Sequence, residues 1–284
     1  MNSTPFVKFH GFGNDYIVIE DADVSDRDLQ ELAIAICHRH TGAGSDGIAV
    51  LKPSDTAEAD FECEIVNPDG TIAAFSGNGT RCCVAYLYHK GIWTEPVLRL
   101  TTRSGIKSYR FLKASGDREY WFEAEIGKPR FASGEVPVLI GPERHHVLNE
   151  PILIAGRSHE FSAVNVGNPV ACIFVDNFGL DWRTIGGLME THEKFPERVN
   201  AVFVKVIDSA NIKLRIWERG AGETAASGTC ASGAAVLCAL LQKTVRDVMA
   251  HSEGGSTRVV WRDDDEIVIT GRADLAYSGE WPLG

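Results

Sequence analysis

Long hydrophobic runs are missing from this chain, and its most apolar stretches are broken by glycine or polar residues well short of a bilayer-spanning length. The opening segment MNSTPFVKFH has no apolar signal-peptide core either. No CxxC pair occurs. The seven cysteines (Cys37, Cys63, Cys82, Cys83, Cys172, Cys230 and Cys238) are odd in number and sit mostly among apolar neighbours, which speaks against a disulfide scaffold and for a reducing compartment. Basic charge is scarce, with 28 Lys plus Arg against 39 Asp plus Glu and a net charge of −11. Such a balance argues against a nonspecific nucleic-acid or anionic-membrane surface and leaves room for a small basic pocket. Walker and dinucleotide fingerprints are absent, and His38, His40, His145 and His146 lack the spaced third ligand of a metal site. What is present is a 284-residue chain, 44% apolar and 24% charged, long enough for one large or two medium domains. A soluble, cytoplasmic protein is the expectation.

Phe6 to Glu20 reads as strand, turn, strand, with HGFGND as the turn. Ser25 to His40 changes to a helical period, since Leu29, Leu32, Ala33, Ile36 and Cys37 share one face. Strands are expected at 48–51, 61–66, 97–102, 106–113 and 119–126, with a helix over Gly77 to Tyr88. In the second half the pattern predicts strands at 151–155, 160–165, 170–175, 200–206, 212–217, 257–262 and 266–270. Helices are expected over Asp181 to Glu190 and in CASGAAVLCALLQK. The acidic run Asp263 to Glu266 reads as a solvated hairpin.

A faint internal repeat organises these elements. Gly13-Asn14 and Gly167-Asn168 each enter an apolar strand; Asn67 precedes Ser76 by nine positions, and Glu218 precedes Ser227 by the same nine. Each serine stands in a small-residue segment that opens a helix, Ser76-Gly77-Asn78-Gly79 and Ser227-Gly228-Thr229. Ser76 and Ser227 therefore read as ordinary helix N-caps. Small residues at a helix start also let a ligand approach unpaired N–H groups that favour a carboxylate or a developing oxyanion. Duplication favours this second reading, because two such mouths offer the geometry for removing a proton from one face of a carbon and returning one to the other.

The segments HGFGNDYIVIE, GAGSDG, NPDGTIAAFSGNGTRC, VNVGNPV, VNAVFV and ERGAGETAASGTCASGAA resemble diaminopimelate epimerase, in the same order and over nearly the whole chain. The resemblance implies an α/β (α+β) fold of two pseudo-symmetric domains, each a mixed, mainly antiparallel sheet curled around a central helix, with the active site in the interdomain cleft. The domains would be 1–124 with 272–284, and 125–271. It further implies a homodimer that interconverts LL- and meso-diaminopimelate for lysine and peptidoglycan-precursor synthesis, with no cofactor and no metal. One thiolate of the family abstracts the α-proton while an opposite thiol protonates the planar intermediate. By the same resemblance Asn14, Asn67, Asn168 and Asn200 contact the substrate, Asn67 and Asn200 at its distal end. Glu218 and Arg219 pair the distal ammonium and carboxylate, and Gly77, Asn78, Gly228 and Thr229 clasp the proximal carboxylate.

The sequence departs from the family where the chemistry lies. Ser76 and Ser227 stand at both catalytic cysteine positions, and a serine hydroxyl has no ionised fraction comparable to a thiol's. Val170 replaces the histidine that usually follows GNP, and with it a polar neighbour of Glu218. Three readings stay open: an inactive Cys-to-Ser form of the epimerase, a racemase of another amino acid with a different base, or a non-catalytic amino-acid-binding protein. Cys230, three residues after Ser227, is a wall residue or a displaced nucleophile. His10 reads as a structural histidine and Asp46 as a turn or cap aspartate.

Overall fold

The computed structural model describes residues 3–73 and 76–282; Ala74 and Phe75, inside the motif NPDGTIAAFSGNGTRC, lie outside the described residues. The chain divides into two compact units, Met1–Ala124 with Thr270–Gly284, and Glu125–Ile269. Along it run β1 (Ser3–Gly11), β2 (Asn14–Glu20), α1 (Leu29–Cys37), β3 (Ile48–Pro53), β4 (Phe61–Val66), β5 (Ile72–Ala73), α2 (Gly77–His89), β6 (Val97–Thr102), β7 (Gly105–Ser115) and β8 (Glu119–Gly127). There follow β9 (Val147–Ile154), β10 (Arg157–Asn165), β11 (Pro169–Phe174), α3 (Trp182–Glu190), β12 (Asn200–Asp208), β13 (Asn211–Glu218), β14 (Gly222–Thr224), α4 (Gly228–Leu240), β15 (Asp247–His251), β16 (Ser256–Trp261) and β17 (Ile267–Pro282).

In the first unit β1 pairs antiparallel with β17 and β2, β2 lies parallel to β3, β3 pairs antiparallel with β4, and β4 lies parallel to β6. Antiparallel β7 and β8 follow, and β8 meets β17, so the sheet closes on itself. The enclosed space is filled by α2, whose residues from Gly79 through Leu87 are all buried. A helix buried on every side cannot be amphipathic, and at its first turn Gly79 leaves room for Tyr16 of β2 and Ile65 of β4. The two parallel pairs need crossovers, supplied by α1 between β2 and β3 and by α2 between β4 and β6.

The second unit repeats this wiring. β9, β10 and β11 run antiparallel, β11 lies parallel to β12 across α3, β12 pairs antiparallel with β13, and β13 lies parallel to β15 across α4, with β16 antiparallel beyond it. Here α4 is the helix buried from Cys230 through Cys238. Gly13 (φ +89°) and Gly167 (φ +102°) make the equivalent turns into β2 and β11, a left-handed backbone that a side chain would strain. Outside each curled sheet lies a second apolar layer. Leu32, Ala33 and Ile36 of α1 pack on Ile17, Ile19 and Val50, while Trp182, Ile185 and Met189 of α3 pack on Phe161, Ala201 and Phe203.

Differences from the sequence expectations have local causes. The first helix starts at Leu29 rather than Ser25, because the Asp28 carboxylate accepts the Gln30 and Glu31 N–H groups and caps it there. Strand β17 extends twelve residues beyond its expected end, through polar SGEWP, because β1 supplies its partner from the opposite end of the chain. Strands β5, β14 and β15 are too short or too polar to stand out by alternation.

Candidate active site

At the mouth of α2, Ser76 is the N-cap: its Oγ accepts the Gly79 N–H at 3.0 Å and donates to the Tyr16 hydroxyl at 2.9 Å. Behind it runs a chain of side-chain amides. Buried Arg81 donates from both terminal nitrogens to Asn78 Oδ1 (2.8 and 3.3 Å), which turns the Asn78 amide nitrogen toward Asn14 Oδ1 at 3.1 Å. Asn14 Nδ2 in turn donates to Asp46 Oδ2 at 2.7 Å. Arg39 then clamps Asp46 at 2.6 Å and Asp15 at 2.8 and 3.1 Å. Burial pushes the Asp15 carboxyl up, but the bonds from Arg39 and Lys8 outweigh it and hold its pKa at about 2. Asp46 is thus an anchor for Asn14 as well as a turn residue. Gly271 is needed here, since a Cβ on it would lie 2.5 Å from the Arg81 guanidinium.

The mouth of α4 has the same cap and a different partner. Ser227 Oγ accepts the Cys230 N–H at 3.5 Å and donates to Glu218 Oε2 at 2.9 Å. Burial raises the Glu218 pKa, and the Thr224 and Ser227 hydroxyls only partly oppose it. Asn168 Nδ2 donates to Thr229 Oγ1 at 3.2 Å, while its buried Oδ1 has no hydrogen-bond partner among the described residues. Such an orphan acceptor is suited to an ammonium donor. The first N–H groups of both helices, at Gly77 and Asn78 and at Gly228 and Thr229, precede any intrahelical acceptor and face the cap side.

Several expected site residues are placed differently from one another. Asn200 is 3% exposed; its Nδ2 donates to the Pro169 carbonyl and its Oδ1 accepts the Arg219 N–H, so it braces the β11–β12 edge and the Arg219 backbone. Asn67 Nδ2 donates to Thr71 Oγ1 within the NPDG turn. Glu218 and Arg219 point to separate partners, Glu218 to Ser227 and exposed Arg219 to the Glu197 carbonyl at 3.0 Å. Glu218 therefore belongs to the helix mouth rather than beside the Arg219 guanidinium. Cys230 is fully buried, and burial together with the Glu218 charge raises its pKa, which disarms the thiol as a nucleophile. Val170 is also fully buried, with its side chain against Gly233 of α4. His10 accepts the Gly13 N–H through Nδ1 at 3.4 Å. The residue that sequence reasoning passed over is Tyr16, read only as part of a strand, and the signal was its place two residues after Asn14, where Val170 follows Asn168.

Comparison with known proteins gives the family and the fold. The sequence profile of diaminopimelate epimerase matches residues 6–131 and 162–276. The chain is 38% identical over 280 residues to the diaminopimelate epimerase of Pelotomaculum thermopropionicum, covering 98% of each. Among solved structures it is similar to a PhzF-family phenazine biosynthesis protein from Bacillus anthracis (TM-score 0.70, 14% identity, all of both chains). It is also similar to a hydroxyproline epimerase from Agrobacterium vitis with bound trans-4-hydroxy-L-proline (TM-score 0.64, 17% identity, 99% of this chain and 91% of the other). At those identities the two structures establish the shared fold.

Proposed function

The chain belongs to the diaminopimelate epimerase family, that of cofactor-independent amino-acid epimerases, and from that premise we propose that it acts on diaminopimelate with hydroxyl and carboxyl groups where the family pattern has thiols. The observation that carries this reading is the 2.9 Å bond from Ser227 to Glu218. A serine hydroxyl does not ionise near neutral pH, so the proton acceptor at α4 is the Glu218 carboxylate, with Ser227 aiming it. Its raised pKa brings it closer to the working pH, as a general base requires. First-turn N–H groups hold the proximal carboxylate and strengthen their grip as charge moves onto it during proton abstraction. Asn168 Oδ1 receives an ammonium hydrogen. The Arg219 fork takes the distal carboxylate, with Asn200 fixing the Arg219 backbone. A cytoplasmic homodimer is part of the same proposal and is supported by the family likeness.

Solvent-deuterium exchange at the α-carbon of LL- and meso-diaminopimelate is the test. The chain with both serines should exchange slowly but above the enzyme-free rate, E218Q should abolish the exchange, and S76C with S227C should raise it sharply. Exchange unaffected by E218Q would refute the assignment of the base. Tight binding with no exchange would favour the second reading, an amino-acid-binding protein of the same fold, which the two serines support.

A further inference from the structure

Tyr16 is held in a slot that the sequence builds for it. Its residue is 6% exposed, and the ring lies against the faces of two glycines: a Cβ on Gly47 would come within 2.9 Å of the Tyr16 ring, and one on Gly79 within 3.0 Å. Gly79 is also the residue whose N–H caps onto Ser76. One small residue therefore both seats the ring and completes the cap, and the phenol oxygen ends 2.9 Å from Ser76 Oγ. The second unit has no counterpart: Val170 takes the equivalent strand position and Cys230 the equivalent helix position, and both are fully buried.

We propose that Tyr16 is a positioning residue for proton return at the α2 mouth, acting through Ser76; this rests on the epimerase reading above. In the resting arrangement Ser76 donates to Tyr16. When a planar, anionic intermediate lies at the mouth, the Ser76 hydrogen turns to the carbanion, the new C–H bond takes the electron pair of the carbanion, and the Oγ–H bond breaks. The phenolic hydrogen then moves to Ser76 Oγ, leaving the negative charge as a phenolate that water reprotonates. A phenol is several units more acidic than an aliphatic alcohol, so the relay makes Ser76 a better donor than a serine alone.

The experiment measures whether Tyr16 controls proton affinity at position 76, independently of turnover. All seven natural cysteines are buried, so the thiol introduced by S76C is the fast-reacting one toward iodoacetamide. Its alkylation rate against pH gives its pKa, with peptide mass spectrometry to identify the site. Adding Y16F should raise that pKa by about one unit, because the thiolate loses a donor, so alkylation at neutral pH should slow about tenfold. Difluorotyrosine at position 16, a stronger donor of the same shape, should move the profile the opposite way over the pH range in which its phenol stays protonated, and serves if Y16F does not fold. A profile indifferent to both changes would overturn the proposal, even where α-carbon exchange is measured. A shifted profile in a protein that neither binds nor exchanges diaminopimelate would instead overturn the epimerase reading and leave the role of Tyr16 at position 76 standing.

Discussion

Tyr16 and Val170 hold the same position in their respective units, each two residues beyond an asparagine that follows a left-handed glycine. In one unit that position carries a phenol bonded to the cap serine; in the other it carries an isopropyl group sealed against the helix. The second cap serine draws its partner from β13 instead, as Glu218. Duplicated wiring has thus been given two different acid–base groups.

Sealing at Val170 is testable through Gly233. A Cβ there would lie 2.8 Å from both Cβ and Cγ1 of Val170, one of them close to backbone. G233A should cost about 1–3 kcal/mol in urea unfolding, with V170A restoring part of the loss in a double-mutant cycle. A neutral G233A would mean that α4 and β11 can separate freely.

Glu218 gives a stability effect of opposite sign to the usual carboxylate. Its folded pKa is raised by burial, so the native state favours the protonated form and loses stability as pH rises through the range from the unfolded value to the folded one. E218Q should therefore raise the melting temperature at pH 8 and leave it nearly unchanged at pH 4. A lower melting temperature at pH 8 would show that the carboxylate has a stabilising cation.

Asp15 behaves the other way. Its folded pKa is depressed from 3.8 to about 2, so its contribution is complete above the unfolded value and is lost as pH falls through the folded one. D15N should remove on the order of 2 kcal/mol at pH 7 and flatten the acid limb of the stability profile between about pH 4 and pH 2. Retention of the full acid limb would shift that role to Asp46 or to another carboxylate.

Arg219 is exposed and bonded only to a carbonyl among the contacts described for its side chain, so it can be recruited by a ligand at little structural cost. R219A should weaken diaminopimelate binding at least about tenfold by calorimetry, the loss expected for a charged hydrogen-bonded pair, with little change in melting temperature. Unchanged affinity would displace the distal carboxylate from this residue.

Much of this was legible because it is local. The caps at Ser76 and Ser227 and the paired glycine turns follow from short segments whose residue types decide their conformation. What the sequence hid is long-range or directional. Ser76 and Tyr16 are sixty positions apart, and neither residue type announces the other. Adjacent Glu218 and Arg219 look like one clamp, yet Glu218 ends β13 and bonds Ser227, while Arg219 lies in the turn beyond it and bonds the Glu197 carbonyl. Asn200 reads as a ligand residue until its amide is seen bonded at both ends to backbone.

Strand β17 carries a consequence for how the molecule comes off the ribosome. It seals the first unit against β1 and β8, yet it is translated only after the whole of Glu125–Ile269. Until then β1 has a bare edge and α2 an incomplete enclosure, so the unit made first is the one finished last. Its Ser3–Gly11 edge is open to wrong pairing until the last strand is made.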